Sequence, residues 1–186
     1  MATYPKMRPK ETTTVRAAHD KAQALTDKLI ARLNVKPPAE KYQKLLAECF
    51  GIPVALWSTN AAKAATNAGL VRAALQKVRT RMQGTTILFE TNPPAAASDF
   101  AAYTTPGVAP FKIFLTAKFF QNSYSQAEKA GYLVHEYIHL CHYPAGHPGA
   151  GGETLAVIFG RSPLGIQMPD AANNAYCYQY LIQWLG

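Results

Sequence analysis

Cysteine is scarce and odd in number. Cys49, Cys141 and Cys177 are the three present, and they lie far apart. That excludes a dense disulfide framework and every zinc-cluster spacing of paired cysteines. One bridge with a spare thiol is left open, and a small buried residue is the plainer role for each. Long apolar runs are missing too. No stretch of 18 apolar residues occurs, so no transmembrane helix is expected, although a hydrophobic content of 48% is ample for one core. The first ten residues hold two prolines and three cations but no apolar segment of the kind a Sec signal needs. No Asn-x-Ser/Thr acceptor is present. Basic residues are nearly absent from the last third, where Arg161 is the single one after Gly131, whereas fifteen of the 19 Lys and Arg fall within residues 1–83. The net charge of +8 therefore belongs to the N-terminal half. Its cations are spaced along helical patterns without interleaved aromatics, which reads as a solvated surface and argues against nucleic acid as a partner.

What is present is mostly helical pattern. Residues 1–10 read as an extended or disordered lead. From Thr12 to about Asn34, Val15, Ala18, Ala22, Leu25, Leu29 and Leu33 recur at helical spacing, ended by Asn34 and Pro37-Pro38. His19 in this helix reads as a surface or core residue, not a ligand. A second short helix is expected over Ala39–Cys49 and a long alanine-rich one over 58–83. Thr85–Glu90 and Phe111–Leu115 read as strands. The Asn92–Pro110 segment between them reads as a loop long enough to be functional. A helix is expected over Ser125–His142, a Gly/Pro-rich loop to Gly152, a short helix over Glu153–Gly160, and a final helix over Ala171–Leu185.

The helix from Ser125 carries the chemistry. Ser125 and Glu128 form a capping box at its start. His135-Glu136-Tyr137-Ile138-His139 is an HExxH pattern. Residues four apart stack on one helix face, so the two imidazoles can share one metal ion. Glu136, next to the first ligand, can reach a metal-bound water as general base. Leu133, Val134, Ile138 and Leu140 make this helix apolar and buried. Unpaired buried polar groups cost a few kcal/mol each, about 1–3 in proteins, and a metal site satisfies all three. The competing reading is a pair of hydrogen-bonded core histidines beside a salt-bridged glutamate. The expected fold is therefore α+β, mostly helical and zincin-like, with a small β-sheet beside the active-site helix. Residues 1–84 form its N-terminal helical part and 85–186 its catalytic part, in one compact domain. One of the two strands is expected to hold extended substrate by main-chain hydrogen bonds.

A catalytic zinc takes three protein ligands and keeps one open position. Glu153 follows His139 by 14 residues, after a loop and at a helix start. It is the first candidate, against the reading of an N-terminal glutamate favoured by the helix dipole. Asp170 is the second, against an N-cap role, and His147 the third. A histidine at position 145 would complete a metzincin pattern, but Ala145 stands there. Tyr178, Tyr143 and His142 are the candidates for stabilising an oxyanion.

Three pieces together resemble the aspzincin peptidases, the deuterolysin and peptidyl-Lys metalloendopeptidase group. They are Ile113-Phe-Leu-Thr-Ala-Lys-Phe-Phe120, Tyr132-Leu-Val-His-Glu-Tyr-Ile-His139 and Asn173-Asn-Ala-Tyr-Cys-Tyr-Gln-Tyr-Leu181. The resemblance covers residues 111–186. It implies a zinc endopeptidase with His135 and His139 as ligands and Glu136 as base. The chain departs from the family where a Gly-Thr-x-Asp-x-x-Tyr-Gly motif would supply an aspartate ligand and a tyrosine. Here Glu153-Thr-Leu-Ala-Val-Ile-Phe-Gly160 places Ala156 and Phe159 at those positions. Glu153, one turn before Ala156, would then complete a His, His, Glu set. The aspartate of the family's closing motif is replaced by Tyr176.

The expected activity is zinc-dependent hydrolysis of peptide bonds in a protein or peptide substrate, in a chain exported by a non-Sec route or delivered into a target cell as an effector or toxin. A cognate inhibitor and a secretion partner are further candidate partners, and a cytoplasmic location is the alternative. Two other functions compete: a catalytically impaired zincin-fold binding module and a basic nucleic-acid-binding protein.

Overall fold

The computed structural model describes residues 2–5, 7–84, 86–91, 100–104, 109–141, 168 and 170–186, the side chain of Asp170 excepted. The first helix, α1 (Pro9–Leu33), starts three residues before the expected Thr12. Pro9 suits the first helical turn, where its missing N–H is not needed. The Glu11 carboxylate accepts the Arg8 backbone N–H at 2.9 Å and closes the cap. Val15, Ala18, Ala22, Leu25, Leu29 and Leu33 are buried, the stripe that their spacing requires. Helix α2 (Glu40–Phe50) stops at Gly51, whose φ of 62° is left-handed and favours glycine. After the single turn α3 (Leu56–Thr59), α4 (Ala61–Gly84) packs on α1, α3 and α5 and buries small residues, Ala64, Ala68 and Ala74 among them. An Arg79–Asp27 ion pair and a hydrogen bond from Arg72 to Asn34 join the solvent sides of α1 and α4.

The sheet is small and mixed. Its strands are β1 (Ala2–Thr3), β2 (Ile87–Glu90), β3 (Ala102–Thr104) and β4 (Lys112–Leu115), in the order β1-β2-β4-β3. The first three in that order are parallel, and β3 is antiparallel to β4, with Tyr103 opposite Phe114. Two expectations are corrected here. The lead is not merely extended, because Ala2 and Thr3 pair with Ile87 and Leu88. The segment read as one loop from Asn92 to Pro110 contains β3. Both strands are too short to show a period of two, and only pairing with a neighbour fixes them.

Helix α5 (Gln126–Cys141) lies at the centre, and it buries eight successive residues, Leu133–Leu140. Its capping box forms as the sequence predicts. Ser125 N–H donates to the Glu128 carboxylate at 2.7 Å, and Glu128 N–H donates to Ser125 Oγ at 3.2 Å. The end of the chain forms α6 (Asp170–Asn173) and α7 (Ala175–Leu185), two pieces where one helix was expected. Asn174 breaks them apart and caps α7, its side-chain oxygen accepting the Tyr176 N–H at 2.9 Å. Helix α7 lies close along α5 because Gly131 has no side chain. A Cβ there would come within 2.9 Å of Gln179 O and 2.5 Å of Gln183 Cγ. Helix α1 also packs on α5, so the N-terminal helices and the C-terminal part share one core.

Candidate metal centre

His135, Glu136 and His139 are all buried on α5, at 7%, 6% and 9% exposure. The helix brings the two histidines to one face, and their rings meet at a centroid distance of 4.8 Å. Their Nε2 atoms stand 3.0 Å apart. Two nitrogens each about 2.0–2.1 Å from a tetrahedral zinc would be separated by about 3.3 Å. The pair is thus already close to the spacing that zinc needs, with the nitrogen donors zinc prefers. The residues present fit that ion.

Glu136 sits in the most desolvated position. Burial pushes its carboxyl up to about 8, while a hydrogen bond from the Thr104 backbone pulls the other way. Thr104 ends β3, and its hydroxyl donates to Lys112 O on β4 at 2.5 Å. The edge strand and the active-site helix therefore meet at the carboxylate. The sequence assigned the edge role to one of the two strands it recognised. Both of those, β2 and β4, have a neighbour on each side, whereas β3 stands at the margin of the sheet.

Tyr176 completes what is described of the site. Its ring packs against His135 at a centroid distance of 4.5 Å and an interplanar angle of 64°. Burial and the nearby Glu136 charge both raise its pKa. Tyr178, the tyrosine chosen from the sequence, is not brought to the histidines. It is fully buried, its ring meets Phe50 at 5.0 Å, and its hydroxyl donates to Ala172 O at 2.7 Å. Two residues on a helix differ by about 200° in direction, so only one of these tyrosines can face α5 in this way. The one sequence signal for Tyr176 was its place in the closing motif, where the resembled family has an aspartate.

Glu153, His147, His142 and Tyr143 lie outside the described residues, as do Ala145, Ala156 and Phe159. Asp170 begins α6, but its side chain also lies outside them. Among the described residues no third His, Cys, Asp or Glu gathers with the pair into a metal-holding group. The fifth histidine, His19, is a core residue. Its Nε2 meets Tyr137 Oη at 3.0 Å on another side of α5, and burial pushes its pKa down. Cys49 and Cys177 are buried free thiols and Cys141 is a half-buried one. Among the described residues no helix is long and apolar enough to cross a membrane.

No protein-family model matches the chain, and no curated protein matches it. Solved structures do. A zinc peptidase from Grifola frondosa superposes with a TM-score of 0.65 over 95% of this chain and 96% of its own, at 18% sequence identity. The mostly helical architecture with a small mixed sheet is the fold of a zinc peptidase.

Proposed function

We propose that the chain is a zinc-dependent endopeptidase. The observation that carries this reading is the convergence of His135 Nε2 and His139 Nε2 at 3.0 Å, with Glu136 following the first of them. The zinc-peptidase fold and the aspzincin resemblance of residues 111–186 support it. His135 and His139 hold the zinc, and Glu153 is the third ligand that the sequence favours, ahead of Asp170 and His147. A zinc so held supplies Lewis acidity, lowering the pKa of a water and polarising the scissile carbonyl.

The residues of the chain do the rest. Glu136 accepts a proton from the attacking water at its carboxylate and delivers it to the leaving amine nitrogen. The Thr104 N–H holds the carboxylate in orientation. Among the described residues strand β3 stands at the margin of the sheet next to Glu136, where an extended peptide can pair by main-chain hydrogen bonds. Tyr176, packed on His135, is the phenol best placed to steady negative charge on the carbonyl oxygen.

The test is digestion of an unstructured protein by the wild type and by Glu136→Gln, with zinc content measured and fragments read by mass spectrometry. Cleavage by the wild type alone is the expected result, and the fragment ends give the residue preference. A zinc-loaded wild type that cleaves nothing would overturn the proposal. It would favour the binding-module reading that Ala156 and Phe159 motivate, since those positions lack the family's aspartate and tyrosine.

A further inference from the structure

A cleft of about 830 Å³ opens at the N-terminal end of α5. Its walls are the first turn of α1 with Arg8 and Lys10, the turn after β4 with Gln121 and Asn122, and Gln126 and Lys129 of α5. Lys129 is the unusual member. It is 5% exposed, yet no ion pair to its ammonium is found among the described residues. Lysine is rarely buried to this degree without a partner, because the ammonium loses its hydration. A buried stem with a wet head is the usual compromise, and here the cleft is where the head can go.

The other charges in the wall do not supply the missing anion. The Glu11 carboxylate is already engaged by the Arg8 guanidinium at 2.5 Å and by the Arg8 backbone N–H at 2.9 Å. That pair is neutral overall, which leaves Lys10 and Lys129 as cations without an ion pair among the described residues. The amides of Gln121, Asn122 and Gln126 add neutral donors. The positive end of the 25-residue helix α1 lies in the same wall. The volume falls in the range of small-molecule sites, about 300–1,000 Å³.

We propose that this cleft binds a small, multiply charged oxoanion of the phosphate class, with the Lys129 ammonium as its central contact. Donors on several walls and these two cations suit a tetrahedral anion with acceptors on every side. Lys129 precedes His135 by six residues on the same helix, about 9 Å along its axis. The site is separate from the histidine pair, and its occupancy does not depend on peptidase activity.

The test is calorimetric titration of the full chain with inorganic phosphate and with pyrophosphate, at ionic strength matched with chloride. Saturable one-to-one binding is expected in the wild type. Lys129→Met, which keeps the buried stem, should weaken it at least tenfold, and Lys10→Ala severalfold. Lys44→Met, at an exposed lysine paired with Glu40, should leave it unchanged. If Lys129→Met does not fold, as judged by circular dichroism, Lys10→Ala carries the comparison. No saturable heat in the wild type would overturn the proposal. So would equal affinity in the wild type and the cleft variants, which would mean an adventitious ion only. A parallel arm uses vesicles with and without anionic phospholipid. Sedimentation with the anionic vesicles that is lost in Lys129→Met identifies a lipid headgroup as the source. Binding of free phosphate without vesicle binding identifies a soluble one.

Discussion

His19 and the His135–His139 pair are all buried histidines on helices, and His19 packs beside Tyr137 of α5 while His135 packs beside Tyr176 of α7. They nevertheless present their nitrogens differently. His19 aims Nε2 at Tyr137 Oη, 3.0 Å away, and sets its ring edge against Phe89 at 5.9 Å. Its site is a core junction between α1, α5 and β2. His135 and His139 aim Nε2 at each other, 3.0 Å apart, with Glu136 between them in sequence and Tyr176 across one ring. The first is what a hydrogen-bonded core histidine looks like in this protein. The second brings two imidazole nitrogens from one helix face to within 3.0 Å of each other. Burial does not separate the two kinds of histidine; the group that each ring nitrogen meets does.

The sharpest way to break this contrast is to remove one histidine from each region. His139→Ala should lose bound zinc and, with it, peptide hydrolysis by roughly a thousandfold or more. His19→Phe should keep both, because it removes no group aimed at the metal position. Its cost is stability, about 1–3 kcal/mol, since Tyr137 Oη is left without its partner inside the core. Zinc content by elemental analysis and denaturant melts of both variants check this. Zinc loss in His19→Phe, or its retention in His139→Ala, would erase the distinction.

A smaller effect separates the two tyrosines of α7. Tyr176→Phe should lower kcat about tenfold to a hundredfold with zinc retained, as expected for loss of one charge-stabilising hydroxyl. Tyr178→Phe should leave kcat unchanged and cost about 1 kcal/mol, the net worth of its bond to Ala172 O. The opposite pattern would return the catalytic role to Tyr178. Measuring kcat, KM and zinc content together distinguishes a lost hydroxyl from a lost fold.

Legibility in the sequence followed the range of the interactions involved. Helix α5 was readable because its determinants are local: a capping box at Ser125 and Glu128, and two histidines one turn apart. The long stripe of α1 was readable for the same reason. Strands β1 and β3 were not, since two or three residues carry no period and their existence depends on partners far along the chain. The edge strand was therefore assigned to segments that prove to be interior. Choosing Tyr176 over Tyr178 required the phase of α7. That phase is set by the Asn174 cap and by the contact of α7 with α5 across Gly131, neither of which the apolar pattern encodes. The contribution of Glu153 is a question of sequence alone, as it lies outside the described residues.

The smallest expected effect is a pH dependence whose sign differs between the two regions. Burial lowers the pKa of His19 below its ordinary value of 6.5. Between its folded pKa and 6.5 the unfolded chain therefore binds more protons at this residue than the folded one does. Stability from this group is fully present above pH 6.5 and is lost as pH falls through the folded pKa. The slope is at most about 1.4 kcal/mol per pH unit, the limit for one proton. Glu136 acts in the opposite direction, because its carboxyl is raised from 4.5 to about 8 and the folded chain binds the extra proton over that interval. The two contributions overlap in wild-type melts and partly cancel. Subtracting the stability of His19→Phe from that of the wild type, at each pH from 5 to 8, removes the Glu136 contribution and leaves that of His19. A difference that grows with rising pH and levels off near 6.5 is the expected result. A flat difference would mean that His19 is as easily protonated in the folded chain as in the unfolded one, which a closed core junction does not permit.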